Sequence, residues 1–315
     1  MTALHAQTPL VEHAELSALL GKQVYLKLEN LQSSGSFKLR GIGKLCQNAH
    51  AAGASRIVCP SGGNAGFAAA VAGRALDMAT LIVVPTTTPE SVRERIRSYG
   101  AEVIVAGGVW DEANQEALRL CAQPGSVYVP PFDHPDIWDG NATMIDEAAD
   151  QVIKQEMFDV VVCAVGGGGL LSGILQGLHR NGMAHVPVIA AETEGAASFA
   201  AAIEAGAPVN LPAITSIAGS LGAKRVADQA FDWTRRHDIR SAIVSDADAV
   251  DACLRFADDM RMLVEPACGA ALAVAYGQLA QLAPFKRPLL VVCGGIGVDL
   301  DKLAGWKAQY RQLAI

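Results

Sequence analysis

The sequence predicts an α/β protein built on parallel sheets, and two patterns support that prediction. Short runs rich in Val and Ile alternate with longer segments of helical periodicity along the 315 residues, which is the pattern of repeated strand–helix units. Several runs are apolar at nearly every position, as expected for parallel strands that are covered on both faces. At about 150 residues per domain, the length suits one large domain or two modest ones.

The individual elements follow from these runs and from the turn residues that separate them. Strands are predicted at 23–28, 56–59, 80–84, 102–105, 127–129, 159–165, 186–191, 239–244 and 289–293. Helices are predicted at 67–74, 88–99, 111–121, 144–154 and 249–261, with another starting at Leu170. Pro89 and Glu90 suit a first helical turn and Gly100 suits the cap after Tyr99. The acidic segment 245–251 is typical of a helix N-terminus.

Composition excludes several classes of protein. The net charge of −7 argues against binding of a nucleic-acid backbone. No apolar run reaches about 18 residues, so no membrane-spanning helix is expected, and the first eight residues lack the pattern of a secretory signal. The seven cysteines contain no C-x-x-C pair and mostly lie in apolar runs, as reduced thiols of a cytoplasmic protein do. We therefore expect a cytoplasmic protein without nucleic-acid or membrane partners.

Glycine is enriched, and three clusters among the 31 glycines directly follow strand candidates, at 62–66, 166–169 and 294–297. A glycine turn from a strand into a helix frees backbone N–H groups and places an anion at the positive end of the helix. No cluster matches the P-loop or the dinucleotide-binding pattern, which disfavours an ATPase and a nicotinamide-dependent dehydrogenase. A small phosphorylated cofactor fits better, and a turn without a ligand is the structural alternative.

Three motifs, taken in order, resemble those of the fold-type II pyridoxal-phosphate enzymes, whose fold is tryptophan synthase β-like. They are S-G-S-F-K-L-R-G at 34–41, S-G-G-N-A-G at 61–66 and G-G-G-G-L at 166–170. Stretches 23–27, 129–133, 264–271 and 292–295 resemble the L-serine/L-threonine dehydratases of that group. The resemblance covers the chain from about residue 8 onward. It implies a small domain, 37–134, with the cofactor lysine and the asparagine loop, and a large domain of 1–36 plus 135–315 with the phosphate loop.

The resemblance also implies roles for individual residues. Lys38, which by itself would be taken for an exposed surface charge, would hold pyridoxal 5′-phosphate as a Schiff base and act as the catalytic base. Phe37 would pack against the cofactor ring, and Asn64 would hydrogen-bond its phenolic oxygen. Cys293 would face the ring nitrogen, although a thiol in such an apolar run is also a plausible core residue. The phosphate would be bound by the N–H groups of Gly166, Gly167, Gly168, Gly169 and Leu170.

Substrate and cation sites are carried over in the same way. The substrate carboxylate would bind to Ser61, Gly62, Gly63 and Asn64, and Ser61 and Glu192 join Lys38 as catalytic candidates. Some relatives carry a slightly larger residue in place of Gly62, so either a looser grip on the substrate with lower turnover or room for a different substrate side chain is expected here. A monovalent cation such as K⁺ would be held by the side chains of Glu192 and Ser198 with the carbonyls of Gly166, Ala196, Leu221 and Ala223.

The function that the resemblance implies is that of an L-serine/L-threonine ammonia-lyase (dehydratase). The reaction is a β-elimination giving pyruvate or 2-oxobutyrate plus ammonia, the substrate is a small amino acid, the role is catabolic, and the protein is a homodimer. Two alternatives stay open: a pyridoxal-phosphate lyase or racemase for another β-hydroxy amino acid, and a catalytically silent ligand-binding relative. His134, His179 and His237 show no spacing suited to a metal or a catalytic triad and are expected at the surface or as caps.

Overall fold

A computed structural model gives the positions of residues 2–152 and 156–311. The chain divides into two units, one comprising Met1–Ala6 and Gln32–Asn141 and the other Gln7–Leu31 and Ala142–Ile315. None of the helices in these described residues has the length and apolar character needed to cross a membrane.

The elements alternate along the chain as the sequence predicts. The strands are β1 (Leu10–Glu12), β2 (Tyr25–Lys27), β3 (Arg56–Cys59), β4 (Ala79–Val84), β5 (Glu102–Val105), β6 (Ser126–Tyr128), β7 (Val160–Ala164), β8 (Val188–Thr193), β9 (Ile239–Val244) and β10 (Pro288–Val291). The helices are α1 (Ala14–Leu20), α2 (Lys38–Ala51), α3 (Asn64–Leu76), α4 (Glu90–Ser98), α5 (Trp110–Cys121), α6 (Pro135–Gln151), α7 (Gly169–Arg180), α8 (Ser198–Ala205), α9 (Asp228–Asp232), α10 (Asp246–Met260), α11 (Pro266–Tyr276) and α12 (Leu300–Arg311).

The predicted α/β class with parallel sheets is confirmed, and the differences are local. Each of the nine strand candidates coincides with a strand to within about two residues at either end. β1 was not predicted, because a three-residue strand leaves too short an apolar pattern to detect. α6 begins at Pro135, well before the predicted start at Met144, and its predicted end at Lys154 lies outside the described residues.

In the first unit, the described strands form a four-stranded parallel sheet in the order β5-β4-β3-β6. β3 is an interior strand, and Ile57, Val58 and Cys59 are fully buried. Parallel strands that are covered on both faces lose all their water contacts, which explains why this run is apolar throughout. The chain leaves β3 at Cys59 and enters α3 at Asn64, so the four connecting residues 60–63 lie at the carboxyl edge of the sheet, where open α/β sheets bind ligands.

In the second unit, the described strands form a six-stranded sheet in the order β1-β2-β10-β7-β8-β9, in which β1 runs antiparallel to β2 and the other neighbours are parallel. The three central strands β10, β7 and β8 are buried at every position. Since they run in the same direction, the residues that follow them, including the tetraglycine and Cys293, are gathered at one edge.

Helix ends follow local chemistry. Ser245 and Asp248 form a reciprocal capping box at the start of α10, which confirms the predicted acidic N-terminus. Gly100, which follows the cap residue Tyr99 of α4, adopts a φ of +89°, the left-handed conformation that glycine adopts easily. His134 Nδ1 accepts a hydrogen bond from the N–H of Asp136 in the first turn of α6, so this histidine has the capping role that was expected.

Candidate active site

Lys38 is the first residue of α2 and is half-buried. Its Nζ donates a hydrogen bond to the carbonyl oxygen of Pro131 at 2.5 Å and lies 5.1 Å from the centroid of the Phe37 ring. Burial raises the pKa of Cys59 to about 12, and the nearby charge of Lys38 opposes that shift. Cys59 ends β3, and Pro131 follows the neighbouring strand β6, so the lysine amine is held at the carboxyl edge of the first unit's sheet.

Residues 60–63 connect β3 to α3 and form the second part of this edge. Gly63 is the N-cap of the 13-residue helix α3, Asn64 is its first residue, and the N–H of Gly63 donates to Ser61 Oγ at 3.2 Å. The indole Nε1 of Trp110 donates to the carbonyl of Pro60 at 2.6 Å and anchors the start of the loop. Because the first N–H groups of a helix lack partners within it, this loop is suited to a carboxylate.

Gly62 has a crowded environment. A Cβ added there would lie 3.0 Å from Cγ2 of Thr88 and 3.2 Å from Cγ1 of Val84. A methyl group therefore enters this loop only if Thr88 or the loop itself shifts by a few tenths of an ångström. Sequence reasoning did not find Thr88, because it is 26 positions away and carries no motif of its own.

For the L-serine substrate that the resemblance implies, replacing Gly62 with alanine is expected to raise KM about tenfold, because overpacking of about 1–3 kcal/mol displaces the N–H groups of the loop. This is the opposite of the looser grip expected for glycine from the sequence, because Thr88 and Val84 already crowd the position. The paired variant Gly62→Ala/Thr88→Ser removes the methyl that the new Cβ meets, and we expect its KM to return most of the way. A double-mutant cycle on KM measures this coupling. Equal KM values for the single and paired variants would show that Thr88 does not set the position of the loop.

The tetraglycine lies between β7 and α7 in the second unit. Gly168 is the N-cap of α7 with a φ of +91°, and a Cβ there would collide with the Cβ of Ala230. A Cβ on Gly166 would lie 2.9 Å from the Cα of Leu221. Side chains are thus excluded at both positions, and bare backbone remains at the positive end of a 12-residue helix. This cradle fits a phosphate group, which is stabilised by backbone N–H groups and by the helix dipole.

Cys293 follows β10 and is 6% exposed. A hydrogen bond with the thiol of Cys268 and burial hold the pKa of Cys293 well above its usual value, so it stays a neutral thiol at neutral pH. Glu265 contacts the loop that follows Cys293, where its Oε2 accepts a hydrogen bond from the N–H of Gly297 at 3.0 Å. Cys268 and Glu265 had no role in the sequence prediction, although both belong to the 264–271 motif, which was the available signal.

Glu192 is fully buried at the carboxyl end of β8. One carboxylate oxygen accepts from the N–H of Phe199 and the other from the N–H of Ala200, each at 2.8 Å. Burial raises the pKa of Glu192 to about 7, and the two N–H donors oppose that shift. The carboxylate therefore caps α8 in a site where its charge has lost most of its hydration.

The other predicted cation ligands lie in the same unit. Ser198 Oγ is buried and has no hydrogen-bond partner among the described residues, so it has an oxygen lone pair to offer. Gly166 lies against Leu221, and the N–H of Ala223 donates to the Leu221 carbonyl at 2.8 Å. Because β7 pairs with β8 in register, Gly166, which follows β7, and Glu192, the penultimate residue of β8, lie near the carboxyl ends of adjacent strands. An unpartnered buried hydroxyl near a buried carboxylate fits a cation with oxygen ligands.

The predicted site residues divide between the two units. The first unit contains Phe37, Lys38, Ser61, Gly62, Gly63 and Asn64. The second contains Gly166, Gly167, Gly168, Gly169, Leu170, Glu192, Ala196, Ser198, Leu221, Ala223 and Cys293. Within each unit they gather at the carboxyl ends of parallel strands.

Comparison with known proteins finds extensive similarity. A family model described as pyridoxal-phosphate dependent enzyme matches residues 1–294. A protein of Rattus norvegicus named serine dehydratase-like is 47% identical over 313 residues, which cover 97% of this chain and 94% of that protein. A Homo sapiens protein named L-serine dehydratase/L-threonine deaminase is 45% identical over 318 residues, covering 97% of this chain and 95% of that protein.

Similarity extends to the fold. The crystal structure of a fungal L-serine ammonia-lyase from Rhizomucor miehei superimposes with a TM-score of 0.92 at 37% identity and covers 98% of this chain and 100% of that one. The similarity in sequence and the similarity in fold thus both extend over nearly the whole length of the chain.

Proposed function

Because this chain belongs to the family of pyridoxal-phosphate dependent enzymes, we propose that it is an L-serine/L-threonine ammonia-lyase. The resemblance and the fold-type II architecture predicted from the sequence are confirmed. The observation that carries the substrate and the reaction is the near full-length similarity to proteins named for the dehydration of serine and the deamination of threonine. The products are pyruvate or 2-oxobutyrate together with ammonia.

The cofactor fits the residues present. When bound, pyridoxal 5′-phosphate withdraws electrons from the substrate and makes its Cα proton acidic. We assign the covalent attachment point and acceptance of the Cα proton to Nζ of Lys38, the amine held by the Pro131 carbonyl. The phosphate is assigned to the backbone of Gly166, Gly167, Gly168, Gly169 and Leu170, where side chains at two positions are excluded.

Other residues would bind and orient the substrate and the cofactor ring. The N-terminus of α3 with Ser61, Gly62, Gly63 and Asn64 holds the substrate carboxylate, since the helix dipole favours an anion there. Phe37 and Asn64 are assigned to the cofactor ring and its phenolic oxygen, and Cys293 to the ring nitrogen. A neutral thiol is a weaker partner for that nitrogen than a carboxylate, which favours elimination over reactions that need a stronger electron sink.

A substrate panel tests the proposed activity. The purified holoenzyme is expected to release pyruvate from L-serine and 2-oxobutyrate from L-threonine, and borohydride reduction is expected to leave the cofactor mass on Lys38. Formation of D-serine as the main product would instead indicate a racemase. If the cofactor is found on Lys38 but neither substrate yields a 2-oxo acid, the ammonia-lyase activity is rejected and the protein is a pyridoxal-phosphate protein with another activity.

We further propose that Glu192, Ser198 and the carbonyls of Gly166, Ala196, Leu221 and Ala223 bind a monovalent cation such as K⁺. The supporting observations are the buried carboxylate of Glu192 and the unpartnered hydroxyl of Ser198. Glu192, also a catalytic candidate from the resemblance, would then act by holding this cation at the ends of β7 and β8.

Without the cation, stability is expected to fall as pH rises through neutrality. The folded pKa of Glu192, about 7, lies above the unfolded value of about 4.3. The protonated Glu192 therefore stabilises the fold fully below the unfolded pKa, and this stabilisation is lost as pH rises through the folded pKa, a difference of about 4 kcal/mol. K⁺ compensates the carboxylate charge, so KCl in place of choline chloride should raise the melting temperature more at about pH 8 than at about pH 6.

Two variants control this experiment. Glu192→Gln removes the titrating group, and its melting temperature is expected to depend on K⁺ equally at both pH values. Glu204→Gln changes an exposed carboxyl on the same helix α8 and should behave like the parent protein. A K⁺ effect in the parent that does not vary with pH would contradict the assignment of Glu192 to the cation.

We also propose a cytoplasmic location, which the cysteine pattern predicts, and a homodimer, which the resemblance implies. All seven cysteines are free, which suits a reducing compartment. Light scattering of the purified protein measures the assembly, and a monomer mass would reject the dimer.

A further inference from the structure

Two histidines that are 58 positions apart meet on the second unit. His179 lies in the last turn of α7, and His237 follows the short 3-10 helix Trp233–Arg235. Nε2 of His179 lies 3.2 Å from Nδ1 of His237, and the ring centroids are 5.3 Å apart. Their spacing in the sequence contained no sign of this pair, because it is made by the packing of two separate elements.

The orientation of His237 is fixed by a backbone group. Its Nε2 lies 2.8 Å from the carbonyl oxygen of Val186. A carbonyl oxygen only accepts, so Nε2 carries the hydrogen and Nδ1 keeps its lone pair directed at His179. Histidines that bind metals commonly donate their other ring N–H to a backbone carbonyl, which sets the tautomer and orients the ring. His237 has that support in place.

The separation of the two nitrogens also suits one metal ion. Imidazole nitrogens at about 2.0–2.1 Å from a common ion are about 3.3 Å apart at the tetrahedral angle and about 2.9 Å apart at a right angle. The observed 3.2 Å lies between these values. Without metal, the Nε2 hydrogen of His179 bridges to Nδ1 of His237. Moving that hydrogen to Nδ1 of His179 leaves a lone pair on each of the two facing nitrogens, and a tilt of the rings directs both lone pairs at one ion.

The pair is accessible from solvent. His179 is exposed and His237 is half-buried. Among the described residues, no group of three or more His, Cys, Asp or Glu side chains is arranged to hold a metal, so water would fill the remaining coordination positions. Neutral imidazoles prefer zinc, nickel and copper over magnesium or calcium, which take oxygen ligands.

We propose that His179 and His237 form a two-histidine site for a divalent transition-metal ion of the zinc, nickel or copper type. Such an ion joins the last turn of α7 to the segment preceding β9. The tetraglycine lies at the other end of the same helix, where it leads into the first turn. The bound ion therefore stabilises the folded protein by mass action at the end of α7 remote from the proposed phosphate site.

Nickel titration of the holoenzyme tests this site. Calorimetry is expected to give one strong site per chain. Tryptophan fluorescence is expected to be quenched on binding, because the ring of Trp233 lies 4.9 Å from that of His179. His179→Gln and His237→Gln should each weaken binding by about tenfold or more. His50→Gln removes an exposed histidine on α2 and should bind like the parent. Melting temperatures without metal verify that each variant is folded.

Several outcomes would overturn the proposal: no binding by the parent, unchanged affinity in either glutamine variant, or equal weakening by His50→Gln. A measurement on the unaltered protein keeps the test independent of folding defects. Electron paramagnetic resonance of one equivalent of Cu²⁺ is expected to show two coordinated imidazole nitrogens. One nitrogen, or none, would reject the pair as a site.

Discussion

Replacement of Lys38 with alanine is expected to lower kcat/KM for release of 2-oxo acid from L-serine about a thousandfold or more, since positioned proton transfer alone contributes about 10²–10⁴. The variant lacks the amine that the Pro131 carbonyl holds and with it the proposed attachment point of the cofactor. Steady-state release of pyruvate measures the loss. Borohydride reduction followed by mass measurement should show no adduct on the peptide that carries residue 38.

Lys44→Ala is the matched control for Lys38→Ala. Lys44 lies on the same helix α2, its side chain is 43% exposed, and its Nζ is 3.9 Å from a carboxylate oxygen of Asp139. An exposed pair of this kind contributes at most about 1 kcal/mol to stability, so the variant should keep the activity of the parent. Full activity of Lys38→Ala, or equal losses in both variants, would contradict the role of Lys38.

Replacement of Gly168 with alanine is expected to cause the second large loss, this time in cofactor binding. The φ of +91° costs a residue with a side chain about 1–2 kcal/mol. The collision of the new Cβ with Ala230 adds about 1–3 kcal/mol of overpacking. The loop relieves the collision by moving its N–H groups away from the phosphate position. We expect the dissociation constant of pyridoxal phosphate to rise about tenfold or more, as for a lost charge-assisted hydrogen bond.

Gly182→Ala separates the conformational cost from the effect on the cofactor. Gly182 follows the other end of α7, has a φ of +72°, and a Cβ there meets nothing within 4 Å. This variant should lose about 1–2 kcal/mol of stability and bind the cofactor like the parent. Thermal unfolding and equilibrium titration with the cofactor compare the two. Unchanged cofactor affinity in Gly168→Ala would remove the tetraglycine from the phosphate site.

Much of the fold was predictable because the relevant forces act locally. Central parallel strands such as β7 and β8 are buried on both faces, so their apolar runs are visible in the sequence. Capping is equally local: Ser245 and Asp248 are three residues apart and satisfy each other's backbone groups. β1 was missed because three residues at a sheet edge leave no such pattern.

The candidate site was predictable to the extent that its motifs are contiguous. The motifs around Lys38, Asn64 and the tetraglycine each lie within a few residues of a strand end, so they could be placed from the sequence and from family resemblance. Contacts between residues that are distant in the sequence could not be predicted in this way. The pairing of Cys293 with Cys268, the crowding of Gly62 by Thr88, and the meeting of His179 with His237 each depend on packing between separate elements.

The amino-acid order thus established the alternating elements and the family and proposed the residues that would carry its chemistry, because strand burial, helix capping and contiguous motifs are properties of short segments. Tertiary packing established the environment of those residues: the carbonyl that holds Lys38, the desolvation that raises the pKa of Glu192, and the exclusion of side chains at Gly166 and Gly168. Desolvation and steric exclusion depend on every neighbouring atom. Those neighbours come from parts of the chain that adjoin only after folding.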